Sequence, residues 1–334
     1  VLLLSVSSSI IGINFIVTIH KMRARNVTWG KLPIFPWTLY AAAIIQILAT
    51  PVLTLMAALL FFEGFAQTSL FQASVGANAL LFQYFFQFYT QLALFIIILP
   101  AFGVISEVIA THSRKRVFGY LSIIISSFGI SLLAFLSWGQ GMATSGQSAL
   151  AAVLFSFFGL LLFVPIAVIV FNWLVTLYEG SIRFSTPMLY AMSFLVLFVI
   201  ATFSGLFLSN LGTGIYLQHT YFSLGHMGYL LIGGGVVAFL AGLFHWWPKI
   251  TGRQYNESLG KTSVFFVFVG VNVTFFPQFL LGAKGIPTHF HRYTGLSSDT
   301  LLTFQCYQSF STYGSWFLGI GLLLAAFTLY FAWK

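Results

Sequence analysis

The sequence predicts an all-α fold, a polytopic membrane bundle of about nine transmembrane helices, from three observations. Hydrophobic residues fill 59% of the 334 positions and charged residues only 6%, with a mean hydropathy of +0.97. A soluble domain carries about 25% charged residues. The apolar residues come in runs of about 20 or more, each long enough to cross a hydrocarbon core roughly 30 Å thick. The cations gather in alternate gaps between these runs, as the positive-inside rule demands of loops on one side of a bilayer.

The runs can be taken in order. The first, 2–20, opens on Val1 without a charged flank or a signal peptide, so the start is expected to be processed or truncated. The second, 36–62, follows Lys21, Arg23, Arg25 and Lys31. The third, 79–110, contains Pro100 and precedes Arg114, Lys115 and Arg116. The fourth, 118–142, ends in the unusual stretch LSWGQGMATSG at 136–146, where Gln140 lies between two glycines. The fifth, 149–178, contains Pro165 and precedes Arg183. Such prolines are tolerated in a span whose neighbours re-satisfy the backbone. The sixth, 187–209, and the seventh, 221–247, lead to Lys249, Arg253 and Lys261; the eighth is 262–283, and the ninth, 300–333, ends beside Lys334.

All cations except Lys284 and Arg292 then share one side. This puts Val1 outside and Lys334 in the cytoplasm, or in a mitochondrial matrix. No linker or repeat divides residues 1–334, so one domain is expected. The net charge of +9 sets topology here and implies no nucleic-acid partner. A single Cys306 excludes an intrachain disulfide and any multi-cysteine metal centre.

Several stretches carry more than composition: IIGINFIVTIHKMRA (10–24), LPAFGVISEV (99–108), SRKRVFGYLSIIISSFGI (113–130), HWWPKITGRQYNESLGK (245–261) and FVGVNVTFFPQFLLGAKGIP (268–287). In order, and over almost the whole chain, they resemble subunit I of the haem-copper oxidases. The resemblance implies a bundle of twelve helices holding two haems and a copper ion, which reduces oxygen and pumps protons. The nine runs would match its fourth to twelfth helices, leaving out the first three, one of which carries a ligand of the low-spin haem.

The same resemblance marks what has changed. The family's W-A-H-H-M, whose histidines bind copper, reads Trp138-Gly139-Gln140-Gly141-Met142. Its G-H-P-E-V-Y reads Thr90-Gln91-Leu92-Ala93-Leu94-Phe95, so Gln91 replaces the third copper histidine, Ala93 a proton-channel glutamate and Phe95 the redox tyrosine. The lysine of P-T-G-V-K becomes Ile169. A carboxamide is a poor copper ligand and glycine has no side chain to offer. Copper is therefore expected to be absent, with no catalytic residues. In L-H-D-T-Y-Y-x-x-x-H-F-H-Y, His226 matches the axial ligand of the high-spin haem, and Gly228 replaces that of the low-spin haem. One haem, through His226, is the cofactor left open, against the alternative of a histidine hydrogen-bonded within the bundle. Gln218 and His219 replace a His-Asp pair; Thr288-His289 replaces two propionate-holding arginines, with His289, His291 and Arg292 as substitutes.

Other residues carry less. His20, His112 and His245 read as snorkelling or capping groups. Glu107 reads as a solvated or paired carboxylate. His289 and His291 lack a third ligand for a metal. Asn26-Val27-Thr28 and Asn256-Glu257-Ser258 fit the glycosylation pattern but fall on the positive side. Trp246, Trp247 and Trp316 read as interface or packing aromatics.

Three functions compete. The first is a degenerate subunit I, structural or bearing a single haem, among the membrane subunits of a respiratory oxidase complex. The second is a working oxygen reductase with a rebuilt centre, for which no new ligand set is visible. The third is a transporter or channel, which the scarcity of intramembrane charge disfavours. The setting is the lipid bilayer of a prokaryotic cell membrane, with the mitochondrial inner membrane as the alternative.

Overall fold

The computed structural model describes residues 1–24, 26–66, 71, 79–288 and 298–333. Among these, nine helical stretches are long and apolar enough to cross a membrane, at the places the sequence assigns. The chain is an integral, multi-pass membrane protein. Arg25, His289, His291, Arg292 and Lys334 lie outside the described residues. Packing divides the chain into two compact units, Val1–Gly103 with Gly119–Ile169, and Val104–Phe118 with Val170–Lys334.

The first unit begins with α1 (Leu2–Lys21) paired to α2 (Ile34–Ala66). In α1 only Ser5, Gly12 and Ile19 are buried, one residue every seven. That spacing keeps a single seam on a neighbouring helix. Hydroxyls and an amide line the seam. Thr54 donates to Ser5 Oγ at 3.0 Å, the Ser9 and Thr50 hydroxyls share a 2.6 Å bond, and Gln46 Nε2 donates to Ser8 Oγ at 2.8 Å. In hydrocarbon such polar pairing and close packing hold helices together, since burial gains nothing over lipid. Leu3, Leu4, Ile10, Ile11, Ile13 and Val17 are exposed on the other face.

The unit continues with α3 (Ala79–Ser113), whose end belongs to the second unit, and α4 (Tyr120–Leu136). Trp37 Nε1 of α2 donates to the Tyr120 hydroxyl of α4 at 3.1 Å. The fifth predicted helix is in fact two, α5 (Ala149–Leu161) and α6 (Phe163–Leu177), the latter belonging to the second unit after Ile169. Pro165 is the cause: it has no N–H for the Leu161 carbonyl, and its ring crowds that group.

In the second unit, α7 (Thr186–Ser209) starts after Ser185. Its first backbone N–H, of Thr186, donates to Glu257 Oε1 at 2.8 Å. A short helix absent from the sequence reading, α8 (Leu211–Leu217), follows, capped by the Asn210 side chain. The seventh predicted helix comprises α9 (Tyr221–Gly228), a π-helical segment (Tyr229–Val236) and α10 (Val237–Thr251). It continues past Pro248 and ends at Gly252, which adopts φ 71°. The eighth, α11 (Glu257–Ala283), starts five residues before the predicted 262 because Asn256 accepts from Ser258 N and Leu259 N. The last is α12 (Ser298–Trp333). It lies so close on α11 that a Cβ on Gly314 would stand 2.4 Å from Thr274 N, and one on Gly270 2.4 Å from Leu318 N.

Candidate functional site

Two sets of residues stand at the family's cofactor positions, one in each unit. In the first unit, α4 closes at Ser137, whose N–H donates to Leu133 O at 2.9 Å. The chain then turns through a single 3-10 turn, Gln140–Met142. Trp138 anchors this turn between Phe88 and Phe155, with ring centroids 5.5 and 5.1 Å away. Gln147 Nε2 donates back to Gly139 O at 3.0 Å.

Glutamines of α3 reach the same turn. Gln83 Nε2 donates to Ser145 Oγ at 2.9 Å. The amide of Gln87 lies against Gly141, where a Cβ would meet Nε2 at 2.6 Å. Gln91 is half-buried one helical turn beyond Gln87. Residues 83, 87 and 91 are four apart and so share one face of α3. The place of the second family histidine is thus filled by a carboxamide from the neighbouring helix. Gln83 and Gln87 were not singled out from the sequence, although their spacing with Gln91 was the available signal.

A copper centre needs soft or imidazole donors. This cluster presents amides, and among the described residues no three His, Cys, Asp or Glu side chains gather to hold a metal ion. The donor set does not fit the copper ion the resemblance implies. Phe95 is half-buried on α3, and Ile169 is fully buried on α6.

In the second unit, His226 sits on α9 with its Nδ1 2.9 Å from Ser204 Oγ and 3.1 Å from Ala201 O, both on α7. Its Cε1 would stand 3.1 Å from a Cβ at Gly205, so the ring lies directly against α7. An Nδ1–H donated to Ala201 O leaves the lone pair on Nε2. That is the tautomer second-shell acceptors impose on metal-binding histidines. In that tautomer Nε2 is the nitrogen that would take a haem iron.

Two residues on, the space is closed. A Cβ on Gly228 would fall 2.1 Å from Cδ1 and 2.3 Å from Cε1 of Phe275 on α11. Tyr229 stacks on Phe279 with ring centroids 5.4 Å apart, and its hydroxyl donates to Asn272 Oδ1 at 3.0 Å. The residues present do not fit a second, low-spin haem. The run of glycines at 233–235 forms part of the π segment; Gly233 packs on Leu197 of α7 within the unit, where a Cβ would approach Leu197 Cβ to 3.0 Å. Of the two residues that replace the family's His-Asp pair, His219 O accepts from Thr288 N at 3.1 Å, and Gln218 Nε2 donates to Leu208 O at 3.5 Å.

Two of the histidines read as snorkelling groups are instead joined. His112 Nε2 and His245 Nδ1 are 3.2 Å apart, and His112 Nδ1 is 2.9 Å from Ser185 Oγ. They are 133 positions apart in the chain, so no local pattern announces the pair. His20 bonds Tyr40 at 3.0 Å. Nearby, burial first and the Glu257 carboxylate second push the Tyr255 phenol above its ordinary range, while Arg183 and a hydrogen bond with Thr186 oppose the shift.

Comparison with known proteins agrees with this fold and these motifs. The family model described as Cytochrome C and Quinol oxidase polypeptide I matches residues 1–317. Quinol oxidase subunit 1 of Bacillus subtilis is 37% identical over 323 residues, covering 97% of this chain and 49% of its own length. Cytochrome c oxidase subunit 1 of Synechocystis sp. is 41% identical over 286 residues, covering 85% and 52%. Its counterpart in Eremothecium gossypii is 34% identical over 328 residues, covering 98% and 60%. A cryo-EM structure of a heme-copper terminal oxidase dimer has the same fold, with a TM-score of 0.71 over 90% of this chain and 57% of that one at 16% identity. The chain spans about half the length of the curated bacterial relatives it matches. On the strength of a match running from residue 1 to 317, this chain belongs to the cytochrome c and quinol oxidase polypeptide I family.

Proposed function

We propose that this chain is a degenerate subunit I, a structural or single-haem member of a respiratory electron-transport complex, without an oxygen-reducing haem-copper centre of its own. One observation carries the reading. The positions of the copper histidines hold Gln91, Gln140 and Gly141, and the Gln87 amide fills the space a side chain at 141 would need. The Phe275 ring beside Gly228 supports the same reading for the low-spin haem. Ala93, Phe95 and Ile169 supply no proton carrier where the family has one. The two units act as one membrane domain in this account, consistent with a family match that crosses both.

If a haem is bound, His226 Nε2 holds it, and Ser204 and Ala201 fix the ring through Nδ1. The haem would supply an iron that gains and loses one electron. The partners are the other membrane subunits of an oxidase complex, in a prokaryotic cell membrane.

The test is metal analysis and a reduced-minus-oxidised spectrum of the purified complex, assigned to this chain by His226→Ala. The expected result is no copper on this chain and at most one haem, lost with His226. Stoichiometric copper together with oxygen reduction by this chain alone would establish instead an active reductase with a rebuilt centre.

A further inference from the structure

Lys284 follows the end of α11, at the opposite end of that helix from Glu257 and Lys261. It is exposed, and its Nζ stands 5.4 Å from the centre of the Tyr307 ring on α12. Such a stack holds an ammonium over the ring face and leaves its other sides open to water or to a ligand. Tyr307 is itself held in place against the buried cluster of Leu281, Ile286 and Phe304. Tyrosines gather at the level of lipid headgroups, and α11 ends at this level.

From this pair a groove runs between α11 and α12, within the second unit. A cavity of about 310 Å³ lies in it, open along one side and lined by Val273, Phe276 and Pro277 of α11 and by Tyr307 and Phe310 of α12. Lys284, Leu280 and Val273 share one face of α11 by their spacing, and Tyr307, Phe310 and Phe317 share one face of α12. Farther from Lys284, Phe266 of α11 stacks on Phe317 of α12 with ring centroids 5.7 Å apart and closes the groove. Asn272 borders the cavity, but its amide is engaged: Oδ1 accepts from the Tyr229 hydroxyl, and Nδ2 donates to Phe268 O at 2.8 Å. The exposed polar side chains Gln305, Ser309 and Thr312 recur on a different face of α12.

The dimensions select the occupant. Val273 lies 11 positions before Lys284, roughly 17 Å along the helix. One leaflet of a hydrocarbon core is about 15 Å deep, so the cavity reaches as far as an acyl chain does. Its wall is apolar, and the carbonyls of a quinone ring would go unmatched there. A partner helix would need small residues for close approach. Here the exposed rings of Phe276 and Phe310 stand at the groove, while Gly270, Gly314 and Gly321 are taken up by the contact between α11 and α12.

We propose that Lys284 and the groove below it bind one anionic phospholipid, with its phosphate at the Lys284 ammonium and an acyl chain in the cavity between α11 and α12. The ammonium supplies the charge match, and the cavity supplies the chain's depth and direction.

The experiment uses the full chain with whatever subunits accompany it, in nanodiscs of phosphatidylcholine with a minor share of phosphatidylglycerol that carries a photoactivatable diazirine in one acyl chain. Native mass spectrometry counts the phosphatidylglycerol retained after a detergent wash, and peptide mass spectrometry after illumination locates the crosslink. The wild type is expected to retain the lipid and to be labelled at Val273, Phe276 or Phe310. Lys284→Ala is expected to lose roughly fivefold in retention, the effect of one lysine at an anionic surface, and Lys284→Arg to keep it. Val273→Phe, which fills the cavity and leaves every charge in place, is expected to lose both retention and groove labelling. Wild-type retention in both Lys284→Ala and Val273→Phe overturns the proposal. So does loss in one of them alone: Lys284→Ala alone would mark a headgroup held without its chain, and Val273→Phe alone an apolar occupant without a phosphate. Should either variant not fold, the wild-type crosslinks decide. Labelling in the groove upholds the proposal, and labelling confined to other lipid-facing helices, or excluded from the groove by a helix of another subunit, overturns it.

Discussion

The ring of Phe275 lies beside Gly228 so closely that even a methyl group at 228 would overlap it, with Cδ1 2.1 Å from the would-be Cβ. The contact joins α9 to α11 at the position where the family resemblance puts a haem ligand. It converts a missing ligand into a packed helix interface.

Gly228→Ala should therefore destabilise the protein by about 1–3 kcal/mol, the usual cost of overpacking a filled site. Trimming the neighbour in Gly228→Ala/Phe275→Leu should recover part of that loss. Thermal unfolding in detergent of the two single variants and the double variant measures the coupling. Additive effects would mean that the two side chains do not share the space.

The same logic applies at the glutamine cluster. Gly141→His alone should be destabilising, because the imidazole must displace the Gln87 amide. Restoring all three family histidines at 91, 140 and 141 should still yield no stable copper site. Adding Gln87→Ala is expected to relieve the strain and permit copper uptake, read as metal per chain after dialysis. Copper uptake by the triple variant with Gln87 intact would contradict this.

The seam between α1 and α2 should contribute modestly. Ser9→Ala and Thr50→Val break the 2.6 Å hydroxyl pair. Their coupling energy should be about 0.6 kcal/mol, the average for polar contacts between membrane helices, and below ~1.7 kcal/mol, the largest of that set. A double-mutant cycle on unfolding provides the number.

Tyr255 lies outside the spanning helices, and its phenol is held above the ordinary value near 10 by burial and Glu257. The folded state then keeps a proton that the unfolded chain gives up. Stability is fully present below about pH 10, the unfolded value, and declines as pH rises from there toward the folded value. Tyr255→Phe should flatten that decline, beside a pH-independent cost of about 1 kcal/mol for its lost hydrogen bond with Thr186. A wild-type profile identical to that of the variant above pH 10 would remove Tyr255 as the cause.

The spans were legible because hydropathy and loop charge act on whole segments. Helix ends were less so: Asn256 extends α11 backwards through two side-chain hydrogen bonds and Pro165 splits a helix in two through one missing backbone bond, and both are local effects. Gln91, Gln140, Gly141 and Gly228 stood out against the family motifs. Gln87 and Phe275 did not, because what fills a lost ligand's place comes from another helix and leaves no mark beside the motif. The His112–His245 pair escaped for the same reason.

The contact between Gln87 and Gly141 also bears on descent. On the proposed reading, a histidine could stand at 141 only if the Gln87 amide retreated in the same step or before it. Each change alone is expected to cost stability, a histidine at 141 by overlap with the Gln87 amide and a smaller residue at 87 by the space it leaves. The geometry therefore acts as a ratchet. A lineage that has passed through it can drift further, but it does not readily find its way back.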